Sequence, residues 1–294
     1  MGRNYGRDLW DELCECVAED DGLPVFESSG FWTADKLYFV CQYLEQTTRG
    51  MKNRPHWKSG LTYIDLFSGS GISAVRDSSG KVHRYPGSPL IAASTPSPFD
   101  RLILAERDPS RLDALITRLG STGFQGDIIS FLVDSNESIA DISAAVPTDS
   151  LNVAFVDPYS LDVHFETIKQ LASTRALDLI LLFSDRFDLG RNVHRYYYPQ
   201  EEQSKLDHFL GTTDWRQRLD QLDNQSGQGV RELFARIYSE QLQTIDYNHI
   251  EHWPLEGPNG PAFRLFFASK HQLGLKYCRI ALSESRQDGR GLFS

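Results

Sequence analysis

Four carboxylates close four apolar runs between residues 61 and 157: Asp65 ends LTYID, Glu106 ends LILAE, Asp134 follows ISFLV, and Asp157 follows LNVAFV. An ionised carboxylate is an acceptor-only group, suited to the hydroxyls and amines of a ligand. In an open α/β sheet, ligands bind beyond the carboxyl ends of the strands, where strand order reverses. One acidic residue at a strand end is ordinary loop chemistry. Four in sequence point to a bound molecule.

Ser68-Gly69-Ser70-Gly71 follows directly on Asp65, Leu66 and Phe67. Gly69 and Gly71 lack side chains, so backbone can turn tightly against a ligand. Gly69, Gly71 and Ala74 also fit Gly-x-Gly-x-x-Ala, a dinucleotide fingerprint. That reading ranks lower, because Asp77-Ser78-Ser79-Gly80 would break the long helix a pyrophosphate needs. A cofactor without phosphates, such as S-adenosylmethionine, makes no such demand. Glu106 can accept both hydroxyls of a ribose, and VRDSSGKVHRYPGSP reads as an inserted loop between it and the glycines. Asp134 can accept from an adenine amine or cap the helix of SNESIADI, and both readings stand. Asp157-Pro158-Tyr159 can aim a carboxylate, a carbonyl and an aromatic face at one point, which would hold a planar amine for methyl transfer. Read alone, Pro158 simply ends a strand.

The elements that must position these groups follow from periodicity. Leu61–Leu66, Arg101–Glu106, Ile128–Val133, Leu151–Val156 and Leu177–Phe183 read as strands buried on both faces. In DPSRLDALITRLG, Asp108 caps, Pro109 starts, and Leu112, Leu115, Ile116 and Leu119 make one helical face. GSPLIAA is a second helix with Ser88 as cap, and Phe165, Ile168, Leu171 and Ala172 mark a third. The alternation predicts an α/β, Rossmann-like fold with a mostly parallel sheet. Two further strands around EGPNGP would bring it to seven. The expected layout is an N-terminal helical extension at 1–59, with Leu37, Val40, Tyr43 and Leu44 as its stripe, and a core at 60–185. A helical insertion at 186–246 and closing strands with a terminal helix at 247–294 complete it.

DLFSGSG, LILAERD and FVDPYS together resemble the class I S-adenosylmethionine-dependent methyltransferases. A closer resemblance is to the three-Cys-motif partner (TcmP) family, through FWTADKLYFVCQYLE, YIDLFSGSG, PGSPLIA, FVDPYS, HFLGTTDW and FRLFFASKHQLGL. The resemblance covers nearly all of the chain beyond the first thirty residues. It implies a bacterial or phage cytoplasmic protein and a cysteine-motif partner similar to radical S-adenosylmethionine enzymes. By position it puts Asp65, Phe67, Gly69, Ser70 and Gly71 at the methionine end of the cofactor, Glu106 at the ribose and Asp134 at the adenine. Asp157, Pro158 and Tyr159 would face the acceptor. Base amino-methyltransferases often carry Asp-Pro-Pro-Tyr, and here one proline is missing.

The chain of 294 residues has a net charge of −10, which argues against a general nucleic-acid coat. Two basic patches offset the average locally. Arg49, Lys52, Arg54, His56 and Lys58 precede the first strand of the core; Arg186, Arg191, His194 and Arg195 lead into Tyr196-Tyr197-Tyr198. Arginine with tyrosine suits a single-stranded substrate, and a solvated loop explains either patch equally well. None of the four cysteines lies beside Pro158, which removes carbon-5 cytosine chemistry. No metal site, secretion signal or membrane span is expected, and the cysteines read as reduced and cytoplasmic. The favoured activity is methylation of a nucleic-acid amine. The rival is a silent partner subunit of the cysteine-motif protein, and a nicotinamide dehydrogenase ranks third.

Overall fold

An interior strand of the sheet, β2 (Leu61–Asp65), is buried at every position, the mark of a strand covered on both faces. In the computed structural model, residues 5–28, 30, 32–173, 176–184, 193–199, 203–223, 226–257 and 260–287 are described. Beside β2 run β5 (Arg101–Glu106), β6 (Asp127–Leu132), β7 (Leu151–Val156) and β8 (Ala176–Phe183), all parallel to it. β9 (His249–Gly257) and β10 (Gly260–Ser269) complete the sheet in the order β6-β5-β2-β7-β8-β10-β9. β10 runs antiparallel to both of its neighbours. This is the seven-stranded, Rossmann-like arrangement of the class I methyltransferase fold. Chain order reverses around β2, so the carboxyl ends of β2, β5 and β7 flank the crevice where such sheets bind ligands.

Alternating side chains divide the apolar interior in two. On β8, Ile180 and Leu182 enter one core, whereas Leu177, Leu179, Leu181 and Phe183 enter the other. The first core is covered by α1 (Tyr5–Cys16), α2 (Trp32–Met51), α3 (Ser88–Ala93), α4 (Pro109–Gly120) and α10 (Gln272–Gln287). The second is covered by α5 (Ile139–Ala144), α6 (Phe165–Ala172), α7 (Lys205–Leu210), α8 (Trp215–Asp220) and α9 (Gly227–Gln243). Within the stretch 186–246, α9 thus serves as the crossover helix between β8 and β9. None of the described helices is long and apolar enough to cross a membrane.

Four local expectations are corrected. The strand expected at Ile128–Val133 forms as β6 but at the edge of the sheet, so it is not buried on both faces: Ile128 is 38% and Leu132 53% exposed. The expected loop after the glycines is a hairpin, β3 (Ile72–Arg76) and β4 (Val82–Pro86), which β1 (Phe26–Ser28) joins as a second small sheet. Asp77 holds its turn by accepting from the Ser79 and Lys81 N–H groups, and Gly80 has φ +88°. The N-cap of α3 is Gly87 rather than Ser88, which turns its hydroxyl inwards. On α4 the Asp108 cap forms as expected, accepting from Ser110 and Arg111 N–H. Its buried face, however, takes Arg118 and leaves Ile116 38% exposed.

Gly87 is where the hairpin meets the glycine loop: its N–H donates to Gly71 O at 2.7 Å. A Cβ there would stand 2.8–3.1 Å from the Gly71 backbone, which cannot rotate away. Gly87→Ala is expected to cost about 1–3 kcal/mol in urea unfolding. Gly120→Ala, with nothing within 4 Å of the new methyl, should be neutral or stabilising.

Candidate active site

The residues 67–71 leave β2 and cannot continue its ladder, so their N–H groups need other acceptors. Phe67 N donates to Asp65 Oδ1 (3.1 Å), Ser68 N to Ala105 O (2.9 Å) and Gly69 N to Glu106 Oε2 (2.9 Å). Gly69 and Gly71 adopt φ +61° and +85°, where a side chain would be strained. A Cβ on Gly69 would meet nothing within 4 Å, so this turn faces open space beside Glu106. Ser70 is buried, and its hydroxyl donates to Ile72 O at 3.2 Å.

Glu106 ties two loops together. Oε2 takes the Gly69 N–H, and Oε1 takes those of Arg107 and Asp108, each at 2.9 Å. A carboxylate offers about four lone-pair positions, so one remains for a ligand hydroxyl. The side chain is 8% exposed, enough for such a contact at its edge.

Asp65 is placed differently from expectation. It is fully buried, and its oxygens accept from Tyr63 Oη (2.9 Å), Ser88 Oγ (2.7 Å) and Phe67 N. It therefore supports the loop from within the fold rather than from an exposed position. Burial pushes its pKa up to about 7, the nearby Asp157 charge adding to the rise while the three hydrogen bonds oppose it. Asp134 is half-buried at the end of β6 and accepts from Asn136 N at 2.9 Å. It does not cap α5, whose N-cap is Ser138.

Beyond β7, Asp157 Oδ2 forms an ion pair with Lys36 Nζ. Lys36 lies in the first turns of α2 with its side chain 7% exposed, its ammonium 5.9 Å from the centre of the Phe155 ring. Pro158 is buried, but Tyr159 is 74% exposed, so the three residues do not converge on one point as the Asp-Pro-Tyr motif suggested. Ser160 follows with φ +64°. Asn136 secures the far end of this loop, donating to Asp162 O (2.6 Å) and accepting from His164 N (2.9 Å) and Thr167 Oγ1 (2.8 Å).

Sequence reasoning missed Lys36, Ser88 in its inward role, and Asn136. Lys36 had a signal: with Val40 and Tyr43 it shares the i, i+4, i+7 spacing of the buried face. The Arg49–Lys58 patch lies at the opposite end of the sheet, where Lys52 bonds Asp100 at 2.8 Å and Arg54 bonds Gly50 O at 3.0 Å. Arg186 and Arg191 lie outside the described residues. Arg195 stacks its guanidinium 5.2 Å from the centre of the Tyr196 ring, and Tyr196 is half-exposed. Among the described residues, no three His, Cys, Asp or Glu side chains group to hold a metal.

The buried Asp65 makes stability depend on pH. The unfolded chain releases this proton near 3.8, the folded one only near 7. The group's contribution is therefore complete at low pH and is lost as pH rises towards 7, by up to ~4 kcal/mol at about 1.4 kcal/mol per pH unit. Urea unfolding of Asp65→Asn at pH 5 and pH 8 should show a smaller loss than in the wild type.

No family model matches the chain, and no curated protein matches it in sequence. In structure it is similar to protein LPL1258 from Legionella pneumophila str. Philadelphia 1, of the family-model DUF519. That likeness has a TM-score of 0.53 at 13% identity and covers 90% of this chain and 95% of that one. It is also similar, at a TM-score of 0.41 and 11% identity, to an O-methyltransferase from Bacillus cereus in complex with SAH, over 92% of each chain. An rRNA methylase from Streptococcus thermophilus matches at a TM-score of 0.41 and 10% identity, over 79% of this chain and 96% of that one. The first of these likenesses is one of fold.

Proposed function

We propose that the chain binds S-adenosylmethionine over the carboxyl ends of β2, β5 and β6 and methylates a nucleic-acid amine at Asp157. The observation that carries the reading is Glu106. It holds the glycine loop by one N–H, keeps an acceptor position free, and stands beside the open space at Gly69. When bound, the cofactor supplies an electrophilic methyl on a sulfonium sulfur.

The residues of the chain do the remainder. Glu106 accepts from a ribose hydroxyl, Asp134 from the adenine amine through its oxygen not engaged by Asn136, and the glycine loop leaves room for the methionine end. At the acceptor side Lys36 engages Asp157 Oδ2, leaving Oδ1 for an N–H of the incoming amine. That contact orients the nitrogen lone pair, and as the nitrogen is alkylated the carboxylate would offset its positive charge and accept the N–H proton. Tyr159 and Tyr196, exposed as they are, offer faces for stacking an unpaired base. The acidic chain would then rely on stacking more than on phosphate contacts.

A second reading is favoured by the Lys36–Asp157 pair itself. A carboxylate already neutralised by a buried cation, beside a tyrosine turned outwards, also suits a silent partner subunit. The partner would be a three-Cys-motif protein, as the TcmP resemblance implies.

Calorimetric titration of the stripped protein with S-adenosylmethionine should show saturable binding, weakened at least ~10-fold by Glu106→Ala. Tyr159→Ala should leave that affinity unchanged. No saturation with folded wild-type protein would sink the cofactor reading.

Transfer of labelled methyl to single-stranded RNA or DNA should fall ~100-fold or more in Asp157→Ala with cofactor affinity retained. Lys36→Met should lower transfer in the same direction. Cofactor binding with no transfer to either nucleic acid would favour the partner-subunit reading.

A further inference from the structure

One buried cation outside the contacts above reaches the glycine loop. Arg118, in the last turn of α4, is 7% exposed. Its Nε and Nη2 donate to the two oxygens of Asp21 at 2.7 and 2.8 Å, and Nη2 donates also to Leu23 O at 3.2 Å. Its Nη1 donates to Pro24 O at 2.8 Å and to Ser70 O at 2.6 Å. A guanidinium has five N–H groups, and these five bonds use them all.

The bond to Ser70 falls between the two glycines of positive φ. In a trans peptide the C=O and N–H point in opposite directions. Turning the Ser70 carbonyl towards Arg118 therefore turns the Gly71 N–H away from it. The loop also presses on α4: a Cβ on Gly71 would lie 3.0 Å from Leu115 Cδ1 and 3.6 Å from Arg118 Cδ. Without an external partner, two glycines in so short a loop would leave this peptide free to rotate.

We infer that Arg118 is a positioning residue for the cofactor site: gripped by Asp21 of the N-terminal segment, it sets the peptide between Ser70 and Gly71 and makes cofactor binding depend on residues 20–24. The inference rests on the cofactor reading proposed above. Arg84 provides the comparison, since it donates to Asp20 Oδ1 at 2.8 Å and Asp21 Oδ1 at 2.9 Å. Among the described residues it does not bond residues 68–71.

The test uses the full chain without ligand, followed by hydrogen exchange over the peptide spanning 66–73 and then by titration with S-adenosylhomocysteine. A lysine cannot reproduce the fork of five donors, so Arg118→Lys should speed exchange of the loop amides ~10-fold and weaken binding by a similar factor. Arg84→Met, which takes a donor from Asp20 and Asp21 but leaves Arg118 and its bond to Ser70 in place, should lower the melting temperature and move loop exchange and affinity by less than Arg118→Lys does. Asp21→Asn, which keeps Arg118 but loosens its grip, should move both readouts the same way by a smaller factor. Wild-type loop exchange in Arg118→Lys and Asp21→Asn, or equal acceleration in Arg84→Met, would overturn the clamp. A loop that responds as expected in a wild-type protein that binds no S-adenosylhomocysteine would overturn the cofactor reading and leave the clamp standing.

Discussion

A loop that departs from a buried strand carries N–H groups that no ladder can satisfy, and the arrangement of this site follows from how they are paired. Phe67, Ser68 and Gly69 present three such groups in succession, to Asp65, Ala105 and Glu106. Two of the acceptors are carboxylates at the ends of neighbouring strands. Each unpaired N–H would cost about 1–3 kcal/mol at a buried position. Asp65 and Glu106 are thus structural before they are anything else. Glu106 has an acceptor position to spare and stands beside the open space at Gly69. Asp65 does not, because Tyr63, Ser88 and Phe67 surround it.

The N-terminal helices belong to the same site although they precede the sheet in the chain. α2 delivers Lys36 to Asp157, and the segment after α1 delivers Asp21 to Arg118. Both contacts place a buried cation against a carboxylate at a loop that leaves the sheet. Breaking either pair would strand a charge away from water, which is more costly than the pair is stabilising. The first core reinforces the arrangement: Trp10 of α1 meets Tyr38 of α2 edge-on at 5.6 Å and stacks on Tyr85 of β4 at 6.1 Å. The two helices and the hairpin are therefore packed against one another.

Strand and helix positions were legible because their signals are local. The run LNVAFV has no alternative to a strand buried on both faces, and DPSRLDALITRLG carries both its cap and its period. What was not legible came from contacts distant in sequence. Asp65 and Ser88 are 23 positions apart, and Lys36 and Asp157 are 121 apart. Ser88 next to Pro89 looks like any helix cap, and only the sheet shows that its hydroxyl is needed by Asp65. Arg118 had the spacing of the buried face of α4, yet a charged residue in that position reads as solvent-facing until Asp21 is known to meet it. The hairpin of β3 and β4 was hidden because ISAVR is short and VHRYP is polar, and β1 supplies the third strand from far upstream.

Asp65 and Asp157 end adjacent strands and have been given opposite environments. Asp65 has two hydroxyls and one amide for partners and no cation, in full burial, so near neutral pH its proton is held about as readily as released. Asp157 has a lysine and is about a quarter exposed at its side chain. Of the two, only Asp157 has a cation for a partner. Separate environments for neighbouring carboxylates are how one site assigns distinct roles to chemically identical groups. Under the proposed reading the glycine loop rests on the carboxyl that has no cation, and the acceptor would be met by the one paired with Lys36.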